Sequence, residues 1–248
     1  APQAKALIVQ HAFGQAANLK EILAYCQKHQ LYLIEDCAHS LGAKFGKKPL
    51  GSFGDLALLS FGRDKVISSV FGGALVVNNP KLVAPLEALC QTLSYPSFSW
   101  TRQQLSHPPL TFLAKKTYSF KLGKAILFLA QKTGLVSKAI YPEERCHQTP
   151  SFFPKRLSEP LSALANHQLK KLDRFNKRRQ ENAWYYHQHL RHPQITKPLW
   201  DPAGIYLRYT IQLDSPEKLK AYLKKNGVII EKKHWYTQPV TPSNDLRL

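Results

Sequence analysis

An α/β fold built on a mainly parallel sheet is predicted by the first hundred residues, for three reasons. Short apolar runs alternate with amphipathic segments, the runs lack strict polar alternation, and turn signals separate them. Ala6–Gln10 reads as a buried strand, and Asn18–His29 as a helix with Leu19, Ile22, Leu23 and Cys26 on one face. Leu31–Glu35, Leu56–Phe61 and Ala74–Asn78 read as further strands. Runs of this kind are what strands covered on both faces look like. Lys48-Pro49-Leu50-Gly51, Gly72-Gly73 and Asn78-Asn79-Pro80 supply the turns.

The texture changes between about Tyr95 and Pro154. Six prolines bracket a helical stretch, roughly Leu110–Leu135, that mixes Phe, Leu and Ile with Lys. From Thr101 to Pro142 there are seven basic residues and no acidic one. A long helix is expected from Ser158, with Glu159 and Pro160 in its first turn. Its inner stripe is Leu161, Leu164, Ala165, Gln168, Leu172 and Phe175; Lys170, Lys171, Arg174, Lys177, Arg178 and Arg179 crowd the other faces. A strand at Tyr206–Gln212, a helix at Pro216–Asn226 and a strand at Gly227–Ile230 complete a smaller α+β unit.

Composition narrows the function classes. The 248 residues are 44% apolar, too apolar for a disordered chain, and the longest apolar runs are about half a dozen residues, far short of a membrane span. The formal charge is +19, distributed as +3 over residues 1–100, +11 over 101–190 and +5 over 191–248. The basic excess therefore sits mainly on the middle region. The chain has no Met and opens without a secretory signal, which suggests a piece of a longer reading frame and a cytoplasmic protein. Cys26, Cys37, Cys90 and Cys146 lack metal-site spacing and are expected to be reduced, buried thiols.

The chemistry concentrates in Leu33-Ile34-Glu35-Asp36-Cys37-Ala38-His39-Ser40-Leu41-Gly42-Ala43 and in Leu59-Ser60-Phe61-Gly62-Arg63-Asp64-Lys65. Asp36 ends a buried strand, where open α/β sheets place their ligands. Ser60 and Lys65 follow the end of another. This set suits pyridoxal phosphate: a Lys amine can form a Schiff base, and a carboxylate can hold the pyridine nitrogen protonated. A Ser hydroxyl can bind the phosphate, and His39 can lie against the ring. Taken singly, an Asp after a strand is often a helix cap and a loop Lys is usually solvated.

The ordered set is similar to the DegT/DnrJ/StrS sugar aminotransferases. The resemblance rests on Gln10-His11-Ala12-Phe13-Gly14-Gln15, Glu35 through Ala43, Gly51-Ser52-Phe53-Gly54-Asp55, Ser60-Phe61 with Lys65, Arg156-Leu157-Ser158-Glu159 and Leu169-Lys170-Lys171-Leu172-Asp173. It implies the fold of type I pyridoxal-phosphate transferases. Residues 1–154 would form part of the large cofactor domain, with a basic helical insertion near 98–150; residues 155–248 would form part of the small C-terminal domain. The resemblance further implies that Lys65 carries the cofactor and moves the proton, Asp36 pairs with the pyridine nitrogen, His39 lies next to the ring and Ser60 binds phosphate. The implied reaction moves an amino group, from glutamate as expected donor, to a nucleotide-linked keto sugar for polysaccharide or secondary-metabolite synthesis. The implied assembly is a homodimer. Relatives that dehydrate instead carry His in place of this Lys.

Three places depart from the pattern or resist alignment with it. Val70 and Phe71 stand where the family usually has Gly and an acid, Pro154 stands where it often has Asn, and His234-Trp235-Tyr236 lies near a substrate-contacting His-Tyr. A non-catalytic sensor or scaffold that keeps the fold is the leading alternative. The Arg174–Arg179 run reads as a solvated helix face before it reads as a nucleic-acid site. The basic segment 110–135 reads as an insertion packed on the large domain or a dimer partner, with peripheral contact to an anionic membrane as the second reading. His187, His189 and His192 do not share a helix face, so no metal site is expected.

Overall fold

The computed structural model describes residues 3–117, 122–137, 141, 148–150 and 153–228. Strand β1 (Ala6–Gln10) leads through a 3-10 turn into α1 (Leu19–His29), and β2 (Tyr32–Asp36) follows. A small antiparallel pair, β3 (Lys44–Phe45) and β4 (Lys48–Pro49), precedes β5 (Leu56–Ser60) and β6 (Gly73–Val77). The main sheet has the order β1-β2-β5-β6; the first three strands are parallel and β6 is antiparallel. The four strands expected in the first hundred residues are present, with ends within a residue of those read from the sequence.

Register decides what each face carries. Ile8 lies beside Ile34 and Ile34 beside Leu56, while Asp36 pairs with Leu58 and Leu58 with Leu75. Because strand side chains alternate, Leu7, Val9, Leu33, Glu35, Ala57 and Val76 share one face. Gln10, Asp36 and Ser60 share the other with Ile8, Leu58 and Leu75. The first face meets the core, where Leu19 and Cys26 of α1 join Leu50, Val66 and Ile205. The second is open, with Ile8 66% exposed. Cover on both faces, as the apolar runs predicted, is therefore seen on one face among the described residues.

After α2 (Val83–Thr92), the insertion forms α3 (Phe98–Leu105), α4 (His107–Lys116) and α5 (Leu122–Lys132). Ser97 caps α3, its Oγ accepting the Trp100 N–H at 3.2 Å. Helices α4 and α5 approach so closely that a Cβ on Gly123 would collide with the Ala114 carbonyl.

Two expectations for the C-terminal half are corrected. The single helix from Ser158 is two, α6 (Glu159–Leu169) and α7 (Leu172–His189). The chain tightens at Lys170–Lys171, where the Lys171 N–H bonds the Gln168 carbonyl. This re-aims α7 so that Leu172 packs on the core and Asn176 Nδ2 reaches the Leu41 carbonyl. Tyr206–Gln212 is not a strand; its only β pairing among the described residues is a bridge between Gln212 and Thr196. The segment is held elsewhere: the Ile205 N–H bonds the Gly14 carbonyl at 2.8 Å, and Tyr206, at φ +49°, stacks on Trp200. A Cβ at Gly14 would sit 2.8 Å from Ile205 Cγ1, so this approach requires glycine. Helix α8 (Pro216–Lys225) is present as expected, while the second half of the strand expected at Gly227–Ile230, together with Cys146 and His234–Tyr236, lies outside the described residues. Cys26 and Cys37 are buried free thiols, but Cys90 is exposed.

Candidate active site

Gln10, Asp36 and Ser60 end three neighbouring strands, so the sheet delivers them to one edge of its open face. Both Asp36 oxygens are engaged. Oδ2 accepts Gln10 Nε2 and Oδ1 accepts the Ala38 N–H, each at 2.9 Å. The turn after Asp36, closed by Ser40 N–H to the Cys37 carbonyl, buries the His39 ring. Its Nε2 lies 3.2 Å from Lys65 Nζ. Lys65 sits in the loop between β5 and β6, which Phe61 ties twice: its N–H bonds Gly72 and its carbonyl accepts from Ser69. Ser60 Oγ accepts the Gly62 N–H at a long 3.4 Å.

His39 is the electrostatic centre of this group. Burial lowers its pKa, and the neighbouring Lys65 charge lowers it further, while Asp36 and Asp64 pull the other way and Arg208 adds to the lowering. The ring is therefore neutral at neutral pH and can accept an N–H from Lys65. Phe13 lies parallel to it, centroids 6.1 Å apart. Arg208 reaches Asp64 at 3.5 Å, so the segment 206–212 contributes a cation to the loop that carries Lys65.

Glu35, one residue before Asp36, points into the core and is fully buried. Its Oε2 accepts from His11 Nε2 (3.0 Å) and the Gly51 N–H (2.9 Å); Oε1 accepts the Phe53 and Gly54 N–H groups (2.8 and 2.7 Å). His11 Nδ1 accepts the Ala17 N–H, which places the ring proton on Nε2 facing Glu35. One carboxylate thus ties β2 to the β1–α1 loop and to the loop before β5. Cys37 lies close enough for the three to suggest a metal site. However, both His11 nitrogens and both Glu35 oxygens are already bonded, and burial pushes the Cys37 thiol up to about 12, away from the thiolate a metal needs. Strand alternation at Glu35-Asp36 was the signal for this division of labour.

The insertion grips the Lys65 loop at two points. Arg63 Nη2 donates to Ser137 Oγ, which donates to Gln104 Oε1 at 2.5 Å; Ser137 and Gln104 are buried. The Phe71 ring packs edge-on against Trp100 of α3 (5.2 Å) and beside Phe153 (5.4 Å). The departure at Val70-Phe71 therefore coincides with the anchor of the insertion. Phe71→Ala is expected to lower stability by about 2 kcal/mol, less than the roughly 3–5 kcal/mol of a fully buried Phe because this ring is half-buried. Urea unfolding checks this, and an unchanged midpoint would show that Phe71 anchors nothing. Helix α7 holds the other side: Arg179 donates to the Val66 carbonyl (2.6 Å) and to Asn176 Oδ1 (2.8 Å). Arg179 thus departs from the solvated face expected of its run.

The DegT/DnrJ/EryC1/StrS aminotransferase family profile matches residues 1–112 and 126–244. A dTDP-3-amino-3,6-dideoxy-alpha-D-galactopyranose transaminase from Aneurinibacillus thermoaerophilus is 27% identical over 90% of this chain and 49% of its own length. A GDP-perosamine synthase from Vibrio cholerae is 39% identical over 32% of this chain and 22% of its own. Sugar aminotransferase CalS13 from Micromonospora echinospora, 19% identical, shares the fold with a TM-score of 0.64 over 92% of this chain and 53% of that one. The chain spans about half, or less, of the length of these proteins. The matched span nevertheless takes in every residue of the Asp36–Lys65 edge, and the chain belongs to the DegT/DnrJ/EryC1/StrS aminotransferase family.

Proposed function

We propose that this chain is the core of a pyridoxal-phosphate aminotransferase that moves an amino group from glutamate to a nucleotide-linked keto sugar. The observation that carries this reading is Lys65 Nζ at 3.2 Å from the buried His39 ring, with the fixed Asp36 carboxylate on the same sheet edge. This donor set fits the cofactor: an amine for its aldehyde, a carboxylate for its ring nitrogen, an imidazole to flank the ring and the Ser60 hydroxyl for its phosphate. When bound, pyridoxal phosphate supplies an electron sink for the carbon that gains or loses nitrogen. Lys65 would hold the cofactor and shuttle a proton at Nζ. Asp36, pinned by Gln10 and Ala38, would be the group to hold the ring nitrogen, since both its oxygens are fixed against rotation. Neutral His39 offers Nε2 to Lys65 without competing for positive charge.

Curated relatives named for dTDP- and UDP-linked sugars support the substrate class, and another is named for L-glutamine as donor. The reading includes a cytoplasmic homodimer, a large domain over residues 1–154 with its insertion, and a small domain from 155. Titrating the chain with pyridoxal phosphate should give a visible absorption band that bleaches with borohydride, and glutamate should convert it to the amine form. A band that neither glutamate nor glutamine converts would favour a sensor or scaffold. No band at all in the full-length protein would end the proposal.

A further inference from the structure

Helices α4 and α5 pair through Ala114 and Gly123, small residues that leave the large ones outside. Phe112 is 62% exposed and Phe128 65%, and Leu113, Leu122 and Leu129 are exposed on the same two helices. Isolated exposed apolar residues are ordinary, but this many on two short helices make a patch that a freely soluble surface avoids. The charged residues among them have one sign. Lys115, Lys116, Lys124 and Lys132 are exposed, Lys116 lies over the Phe112 ring at 4.8 Å, and no acid occurs from Thr101 to Pro142. A protein partner for an apolar patch needs no such uniform charge. An interface that is apolar at depth and anionic at its surface does.

We infer that the α4–α5 pair docks on the surface of an anionic lipid bilayer, with Phe112 and Phe128 in the acyl boundary and the four lysines at headgroup level. Each helix lies in the plane. At 1.5 Å per residue the 11 residues of α5 span roughly 16 Å, about half a hydrocarbon core, and no described helix is long and apolar enough to cross a membrane. The packed part of the insertion supports this placement, because Arg63–Ser137–Gln104 and Phe71–Trp100 hold its base against the Lys65 loop. Docking would thereby set the catalytic edge beside a membrane surface.

Co-sedimentation of the full chain with phosphatidylcholine vesicles, with and without phosphatidylglycerol, tests the inference. Binding is expected only with phosphatidylglycerol, and it should weaken with salt. Each lysine neutralised, as in Lys115→Gln with Lys116→Gln, should lower partitioning roughly fivefold. Phe112→Ser and Phe128→Ser should each lower it on the order of tenfold; both rings are exposed, so circular dichroism should be unchanged. Should these variants precipitate, Phe128→Trp in the native chain gives a fluorescence reading that brominated lipid should quench. Absence of binding to phosphatidylglycerol vesicles, or absence of quenching, overturns the inference. So does a dimer that Phe112→Ser dissociates without any vesicle binding, which would give the face to a second copy. Lysine-dependent capture by RNA with no vesicle binding overturns it as well.

Discussion

Lys65→Ala is expected to leave a folded chain that no longer fixes pyridoxal phosphate covalently and transaminates at least 10²–10⁴-fold more slowly, the range for losing a positioned acid–base group. The fold should survive because the loop around Lys65 is held by backbone bonds that alanine keeps: Lys65 N–H to Gly62, Ser69 N–H to Phe61 and Phe61 N–H to Gly72. The side chain itself contributes a single hydrogen bond, to His39. A second readout follows from charge. Burial is the larger cause of the lowered His39 pKa and the Lys65 charge the next, so removing that charge should raise the pKa part of the way back. The sign carries to stability. A buried His with a depressed pKa is protonated later in the native than in the unfolded chain, so it costs stability as pH falls below about 6.5. That loss should be smaller in Lys65→Ala. Lys65→Arg separates the two effects: it keeps the positive charge, so His39 should titrate as in the native chain while catalysis is lost. Borohydride-fixed cofactor on the Lys65→Ala chain would show that another amine carries the reaction.

What the sequence disclosed follows from which forces are local. Strand ends at Gln10, Asp36 and Ser60 were legible because apolar runs and turn residues fix them within a few positions. Asp36 and Ser60 could be set at strand ends on the same grounds, whereas the roles given to Asp36, His39, Ser60 and Lys65 rest on the ordered resemblance and not on any local pattern. Three features were not legible for physical reasons. The break at Lys170-Lys171 contains no Gly or Pro and uses good helix formers; the packing of Leu172 and Asn176 imposes it from outside. Tyr206–Gln212 has the aromatic and β-branched content of a strand, but the Gly14 carbonyl and Trp200 capture its first residues before a ladder can form. The Arg63–Ser137 contact spans 74 residues of sequence, so no local pattern reports that the helical region after α2 grips the Lys65 loop.

Glu35→Ala is expected to unfold much of the sheet domain, because one buried carboxylate satisfies four donors on two segments and ties both to β2. Hydrogen bonds to a charged group contribute about 1.5–3 kcal/mol each. Stranding the His11, Gly51, Phe53 and Gly54 N–H groups should therefore cost on the order of 5 kcal/mol, comparable to the whole stability of many domains. Glutamine should not rescue it. Each Glu35 oxygen accepts two N–H groups, so whichever way the amide turns, its NH₂ meets two donors. The same geometry predicts the acid limb of stability. Burial is the largest influence on the Glu35 pKa and raises it, but the His11 and backbone bonds together outweigh burial and hold it below the ordinary carboxylate range. A group lowered in the native state adds stability that is present above its unfolded pKa, near 4.3, and is lost as pH falls through the native value. Urea midpoints from pH 7 downward should show that fall in the native chain and a flatter profile in Glu35→Gln, from a lower starting point. The consequence should reach the site without touching it. Gln10 and Phe13 lie on the segment that Glu35 holds through His11, so loosening that segment frees the Asp36 carboxylate and unstacks His39, and cofactor affinity should fall in any Glu35→Gln chain that still folds. A Glu35→Gln chain with native stability and native cofactor affinity would reduce the hub to ordinary core packing.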